Sequence, residues 1–147
     1  MRIENSIEIE APASRVWELT LDVESWPRLT PTMDSLTPTM DSVERLDAGP
    51  LGVGSRARIK QPGQAAKVWT VTRLDQEKAF AWSAPTMGTT MTALHDLEQT
   101  NGRTVNTLTV EIEGGLAPLI GRLLRRPILA AITKENQGFK TAAEQRA

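Results

Sequence analysis

The sequence has no cysteine, no tyrosine and a single histidine, His95. The missing thiols exclude disulfides, thiol catalysis and cysteine zinc sites, and one histidine excludes a site with several histidine ligands. We therefore expect neither a metal nor a cofactor. No apolar run reaches the roughly 20 residues that cross a bilayer, so we expect no transmembrane segment. The formal net charge of −1 offers no general attraction for DNA or anionic lipid.

The length of 147 residues fits a single domain, residues 1–147. At the start of the chain, apolar and charged residues alternate, with Ile3, Ile7 and Ile9 on one face. This pattern predicts a strand and differs from a secretory signal. We therefore expect a cytoplasmic protein.

Two short helices are predicted after this strand, one from Pro12 to about Asp22 and one at residues 25–28. Six further strands are predicted near residues 43–47, 55–61, 66–74, 78–84, 89–99 and 104–113. Asn101-Gly102 predicts a tight hairpin between the last two. The pair Gly52 and Gly54 fits a dinucleotide-binding pattern, but a strand follows it where that motif needs a helix, so we assign these glycines to a turn.

After Gly115 the apolar spacing changes to three and four residues, which predicts a helix of about 30 residues with a kink at Pro127. Its apolar stripe consists of Leu116, Leu119, Ile120, Leu123, Leu124, Ile128, Ile132, Phe139 and Ala143. The order of strand, two short helices, six strands and long helix predicts an α+β fold with an antiparallel sheet of about seven strands.

The heptapeptide LTPTMDS occurs twice in succession, at residues 29–35 and 36–42. The unit is too short for a repeat architecture. Its composition favours a loop before the second strand, and loop-closure entropy tolerates seven added residues. The alternatives are a lid or an arm that forms a homodimer.

Several landmarks resemble the polyketide cyclase/dehydrase and lipid-transport group of the START-like (SRPBCC) superfamily over nearly the whole chain. They are Ala11-Pro12, Val16-Trp17, Asp22, Trp26-Pro27, Gly52–Arg56, Trp69–Thr72, Phe80–Trp82 and the long helix with Arg122, Arg125 and Arg126. The resemblance implies a helix-grip fold, in which a curved sheet wraps around the C-terminal helix. It also implies a cavity for lipids, sterols, hormones or polyketides, with cyclisation or dehydration in some members. The second LTPTMDS departs from the family pattern.

We expect the sheet and the long helix to enclose an apolar cavity, because a strongly curved sheet leaves a gap beside one helix unless large side chains fill it. The predicted ligand-binding residues are Trp69, Val71, Phe80, Trp82, Met91, His95 and Leu97 on the sheet and Leu119, Leu123 and Ile128 on the helix. Trp17 and Trp26 are assigned to anchoring the short helices.

His95 is the candidate catalytic residue, because an inward imidazole can hydrogen-bond a ligand carbonyl or act as a general acid or base. The alternative is a structural histidine that bonds to a neighbouring backbone or hydroxyl group. Asp96 cannot orient it, since adjacent strand residues point to opposite faces. By the same rule Glu111 and Glu113 point outward.

These observations favour a carrier or sensor of an apolar small molecule, such as a lipid, polyketide or aromatic compound. One alternative is an aromatase/cyclase or dehydratase that uses His95 with Thr92 and Asn106. Another is an interaction module that binds a protein or RNA through Arg122, Arg125 and Arg126 or the duplicated loop. The arginines are otherwise explained as a solvated helix face.

Overall fold

The computed structural model describes residues 1–29, 42–61, 65–86 and 88–145. Its strands are β1 (Arg2–Ile9), β2 (Ser42–Arg45), β3 (Arg56–Lys60), β4 (Lys67–Asp75), β5 (Ala79–Thr86), β6 (Thr89–Thr100) and β7 (Arg103–Glu113). Its helices are α1 (Ala13–Leu21), α2 (Trp26–Leu29) and α3 (Ala117–Glu144), with one 3₁₀ turn (Val23–Ser25) before α2.

Within the described residues the strands form one antiparallel sheet, in the order β1-β7-β6-β5-β4-β3-β2. The sheet curves around α3, which packs against β1 and β7. A register shift between Val71 and Arg73 marks a β-bulge in β4, a feature that bends a strand. The predicted α+β helix-grip fold is confirmed.

Strand alternation produces the inner face of this sheet, which meets α3. Ile3 of β1 lies opposite Val110 of β7, and Val110 lies opposite Ala93 of β6. Ala93 in turn lies opposite Trp82 of β5. Because successive side chains point to opposite faces, every second residue of these strands faces the helix.

Two turns show the sequence signals directly. Asn101 and Gly102 both have positive φ, of 54° and 78°, as the tight β6–β7 hairpin requires. Gly54 has a φ of 93° in the turn before β3, where the amide of Ser55 donates to the carbonyl of Gly52. The assignment of these glycines to a turn is confirmed.

The long helix α3 approaches other backbone segments at two glycines. A Cβ atom on Gly138 would overlap the carbonyl oxygen of Leu29, and one on Gly121 would overlap the side chain of Met1. These glycines allow the end of α2 and the amino terminus to lie directly against α3. Pro127 lies within the helix, which continues through it. The kink expected there stays a prediction.

The duplicated heptapeptide lies outside the described residues, except for Leu29 at the end of α2 and Ser42 at the start of β2. The expectation of a loop, and the alternatives of a lid or an arm, stay predictions.

Candidate functional site

A cavity of about 580 Å³ lies between the inner face of the sheet and the middle of α3. The residues that the strands contribute to its wall are Ile59, Lys67, Trp69, Trp82, Pro85, Thr86, Met91, Ala93, Leu94, His95, Leu108, Thr109 and Val110. Those of α3 are Leu124, Pro127, Ile128, Ala131, Ile132 and Glu135. The wall also includes Trp26, Gln61 and Ala65. Most of this wall is apolar or aromatic. Its volume falls within the range of about 300–1,000 Å³ that is typical of small-molecule sites.

Trp26 is the centre of an aromatic cluster at the inner end of the cavity. Its ring centroid lies 5.1 Å from that of Trp82, 4.9 Å from that of His95 and 5.9 Å from that of Phe139. Its indole Nε1 donates a hydrogen bond to the carbonyl of Leu19 in α1. Trp26 therefore joins α2 to α1, as the sequence predicts, and also forms part of the cavity wall.

Trp69 extends the aromatic wall toward β3, with its ring centroid 6.0 Å from that of Trp82. Ala57 of β3 lies opposite Trp69, and its small side chain leaves room for the indole. Trp17 is buried on α1 and does not line the cavity. Three of the four tryptophans thus face the same space.

His95 points inward from β6, between Phe80 of β5 and Leu108 of β7. Burial lowers the pKa of His95 from 6.5 to about 3, because the apolar surroundings disfavour the charged ring. Its Nδ1 is buried without a hydrogen-bond partner among the described residues. The interpretation that a backbone or hydroxyl group satisfies this ring is therefore wrong for Nδ1. At neutral pH the cavity contains an uncharged imidazole with one ring nitrogen unused by the protein.

Beyond the cavity, three asparagines join α3 to the sheet. The Asn136 amide nitrogen contacts the side-chain oxygen of Asn5 at 2.9 Å and the carbonyl of Asn106 at 3.0 Å. In return, Asn106 Nδ2 donates to Asn136 Oδ1 at 2.8 Å. Ile132 and Glu135 line the cavity, whereas Asn136 on the next turn is fully buried against the strands. The network therefore fixes α3 against β1 and β7 beside the cavity.

The structure brings together five of the predicted ligand-binding residues in the cavity wall: Trp69, Trp82, Met91, His95 and Ile128. Three others are buried in the core but do not line the cavity: Val71, Phe80 and Leu97. Phe80 contributes indirectly, since its ring packs edge-on against Trp82 and His95.

The prediction that Leu119 and Leu123 face the sheet is wrong. Their side chains are 55% and 65% exposed. The apolar spacing of α3 contains two stripes one residue apart, Leu119–Leu123 and Ile120–Leu124, and only the second continues through Ile128. Because one residue of helix is a rotation of about 100°, the first stripe points away from the core.

The partners that the sequence suggested for a catalytic His95 are not beside it. Thr92 lies on the opposite face of β6 and pairs in register with Ser83 and Glu111. Asn106 faces inward but is engaged with Asn136. As predicted, Glu111 lies on the outer face, where it forms an ion pair with Arg2 at 3.7 Å.

Polar residues at the mouth of the cavity were not predicted. Gln61 and Lys67 of the β3–β4 region and Glu135 of α3 line it together with the exposed Pro85 and Ala65. Desolvation by burial lowers the pKa of Lys67. The sequence pattern could have predicted that Lys67 faces the cavity, because the alternation that places Trp69 and Val71 inward places Lys67 on the same face.

Among the described residues, no group of three or more histidine or acidic side chains is arranged to hold a metal ion. No helix in the described part of the chain is both long enough and apolar enough to cross a membrane.

A family model, polyketide cyclase / dehydrase and lipid transport, matches residues 1–144. The chain belongs to this family. Its members share the ligand-binding helix-grip architecture that the sheet, α3 and the cavity form here. A search of curated proteins found no match.

Solved structures of the same fold include three informative relatives. The Zhui aromatase/cyclase from Streptomyces sp. R1128 is 20% identical, with a TM-score of 0.71 over 99% of this chain and 94% of that one. A START superfamily protein from Mycobacterium smegmatis is 14% identical, with a TM-score of 0.74 over 98% and 97%. Norcoclaurine synthase from Thalictrum flavum, solved with dopamine and hydroxybenzaldehyde, is 16% identical, with a TM-score of 0.71 over 100% and 88%. At these identities the similarity establishes the fold alone.

Proposed function

We propose that the protein binds and carries an apolar small molecule, of the lipid, polyketide or aromatic class, in the cavity between the sheet and α3. The observation that carries this proposal is the cavity of about 580 Å³ with its largely apolar wall. An apolar cavity of this size sacrifices packing between side chains, and a protein that needed only stability would fill it with side chains.

The wall also favours a particular kind of ligand. Trp26, Trp69 and Trp82 provide indole rings on which a flat conjugated or aromatic group can pack. The neutral His95 offers one donor and one acceptor nitrogen, so it suits a single hydroxyl or carbonyl group. A charged group at that depth would be poorly solvated. The expected ligand is therefore uncharged. The part that enters the cavity most deeply is mostly apolar and has a single hydroxyl or carbonyl group, which lies near His95.

Native mass spectrometry after incubation with mixed lipids and aromatic compounds tests the proposal. Ala131 of α3 lines the cavity and is half-buried, whereas its neighbour Ala130 is exposed and does not line it. The wild-type chain and Ala130→Trp should retain a ligand, and Ala131→Trp should not, because its indole occupies the same space. The retained ligand should also raise Tm, since about 100 Kd of free ligand stabilises the folded state by about 2.7 kcal/mol.

Failure of the wild-type chain to retain any compound or to show a thermal shift would contradict the proposal. Equal retention by Ala131→Trp would contradict it as well. Should Ala131→Trp fail to fold by circular dichroism, Ala93→Phe, on the opposite wall, fills the cavity from the sheet side.

The alternative is an aromatase/cyclase or dehydratase, and the observation in its favour is His95 in the cavity wall, whose buried Nδ1 has no hydrogen-bond partner among the described residues. Positioning of a flexible substrate by the walls would supply most of the rate enhancement. His95→Ala should then abolish the turnover of linear polyketide substrates, and unchanged turnover would remove this alternative.

A further inference from the structure

The first turns of α3 present an exposed apolar surface. Leu116, Leu119 and Leu123 follow spacings of three and four residues, so they form a line along one side of the helix. Their side chains are 50%, 55% and 65% exposed. Exposed leucines that are grouped in this way are typical of an interaction site, whereas isolated ones are common on any surface.

Three positively charged residues lie on the same turns of α3 as these leucines. Arg122, Arg125 and Arg126 are all exposed and take part in none of the ion pairs among the described residues. The sequence from Gly114 to Lys134 contains no aspartate or glutamate. This segment therefore has a net positive charge, whereas the chain as a whole has a net charge of −1. We call the three leucines and three arginines the leucine–arginine face.

The same segment of α3 borders the cavity. Leu124 and Ile128, which are rotated away from the three leucines around the helix, line the cavity, and so does the exposed Pro127 between them in sequence. A surface that binds the leucine–arginine face therefore lies close to the cavity, at a distance of about one helix diameter, or about 10 Å.

We propose that the leucine–arginine face docks the protein on an anionic membrane surface. The leucines enter the interfacial layer of the bilayer while the guanidinium groups bind lipid phosphates, for which their planar, bidentate geometry is suited. Docking is peripheral, since no described helix crosses a membrane. The proposal does not depend on what the cavity binds.

The composition of the face argues for a membrane over other partners. Protein interfaces concentrate their binding energy in tryptophan, tyrosine and arginine, with leucine under-represented, and this face has leucine and no aromatic residue. Recognition of single-stranded RNA relies on aromatic or arginine stacking with bases, which leaves the leucines without a role. A bilayer accommodates the leucines and the arginines together.

Co-sedimentation of the full chain with vesicles tests the proposal. The vesicles are phosphatidylcholine alone or phosphatidylcholine with one third phosphatidylserine, at low and high ionic strength. We expect binding to the anionic vesicles that weakens with salt, and far weaker binding to the neutral ones. Arg122→Gln/Arg126→Gln should lower the affinity roughly five-fold for each arginine removed. Leu119→Ser/Leu123→Ser should lower it at least as much.

The matched control is Arg58→Gln/Arg73→Gln on the outer face of the sheet, which removes the same charge from exposed positions and should bind vesicles as the wild type does. All variants should keep the wild-type circular dichroism, and ligand retention in the cavity should not change. Absence of vesicle binding by the wild type, or equal loss in the control, overturns the proposal. Dimer formation through the leucines or salt-sensitive RNA binding, without vesicle binding, overturns it too.

Discussion

At the scale of single residues, His95 shows how an apolar wall changes the chemistry of a polar group. Three rings surround the imidazole, with centroids 4.9 Å (Trp26), 5.5 Å (Phe80) and 5.7 Å (Phe139) away. Among the described residues, no carboxylate offsets this burial, so the neutral form is favoured and the pKa falls to about 3. A histidine in this state can donate or accept a hydrogen bond but is a poor general base at neutral pH.

This pKa predicts a loss of stability in mild acid. The unfolded chain protonates His95 below pH 6.5, whereas the folded chain resists protonation down to about pH 3. The unfolded state therefore binds more protons, and stability falls as the pH falls through this window. Between about pH 6.5 and about pH 5, His95 should cost about 1.5 kcal/mol of unfolding free energy. Urea denaturation at both pH values measures it.

The comparison is with His95→Leu, which cannot titrate. Its unfolding free energy should change less with pH than that of the wild type by about the same 1.5 kcal/mol, whatever its absolute stability. The lowered pKa values of Asp47 and Glu144 contribute only nearer the carboxylate range, so this window isolates the histidine. Parallel pH profiles for the two proteins would mean that His95 is accessible to protons in the folded state.

At the scale of secondary structure elements, the site depends on α3, which forms one side of the cavity and is held in place before and after the residues that line it. The close approach of Met1 to Gly121 holds the helix before these residues, and the asparagine network at Asn136 holds it after them. Between these contacts the helix lines the cavity with Leu124 and Ile128.

Replacing Asn136 should weaken the attachment of α3 to the sheet. Asn136→Ala removes the acceptor of the Asn106 amide and the donor to Asn5, and it leaves these groups buried. We expect a loss of about 2–4 kcal/mol in unfolding free energy. Urea denaturation measures the loss, with the exposed neighbour Gln137→Ala as the control, for which a change within about 0.5 kcal/mol is expected. A tolerated Asn136→Ala would mean that water replaces the amide.

The two glycines of α3 make a matched pair. Alanine gains about 1 kcal/mol of helix propensity over glycine at either position. At Gly138 the new methyl group meets the backbone carbonyl of Leu29, which cannot move without shifting α2. At Gly121 it meets the side chain of Met1, which is flexible. Gly138→Ala should therefore destabilise the protein by about 1–3 kcal/mol, while Gly121→Ala should stay within about 1 kcal/mol of the wild type.

Thermal and urea denaturation of the two variants decide this point. Equal effects at the two positions would show that α2 adjusts as readily as a side chain. A stabilised Gly138→Ala would contradict the close contact between α2 and α3.

The elements themselves follow from local patterns, whereas the site depends on pairings that no local pattern contains. For example, neighbouring residues alone are enough to predict strand β1, from its alternation, and the turn at Asn101-Gly102. The network of Asn5 with Asn136 joins positions 131 residues apart, and nothing local marks either residue. In the first turns of α3, two apolar stripes run side by side, and the structure places Ile120 in the core and leaves Leu119 exposed because of where the sheet lies.

At the scale of the whole molecule, one connection in the chain spans the whole width of the sheet, whereas the others join neighbouring strands. β1 and β2 are the two edge strands, and α1 and α2 occupy the connection between them. This connection delivers Trp26 to the centre of the aromatic cluster. The fold therefore places a cavity residue on the segment that directly precedes the duplicated heptapeptide.

Removal of one copy of the heptapeptide tests how much the fold depends on it. Deletion of residues 36–42 leaves one LTPTMDS between Arg28 and Val43, with the flanking sequence unchanged. The end of α2 already contacts β2, so the shorter link can still connect them. Loop closure then becomes easier, by about 0.8 kcal/mol at most for a link of five residues in place of twelve. We expect unfolding free energy within about 1 kcal/mol of the full chain and unchanged ligand retention, measured by urea denaturation and native mass spectrometry. A loss above about 2 kcal/mol would instead mean that the second copy makes contacts on which the folded state depends.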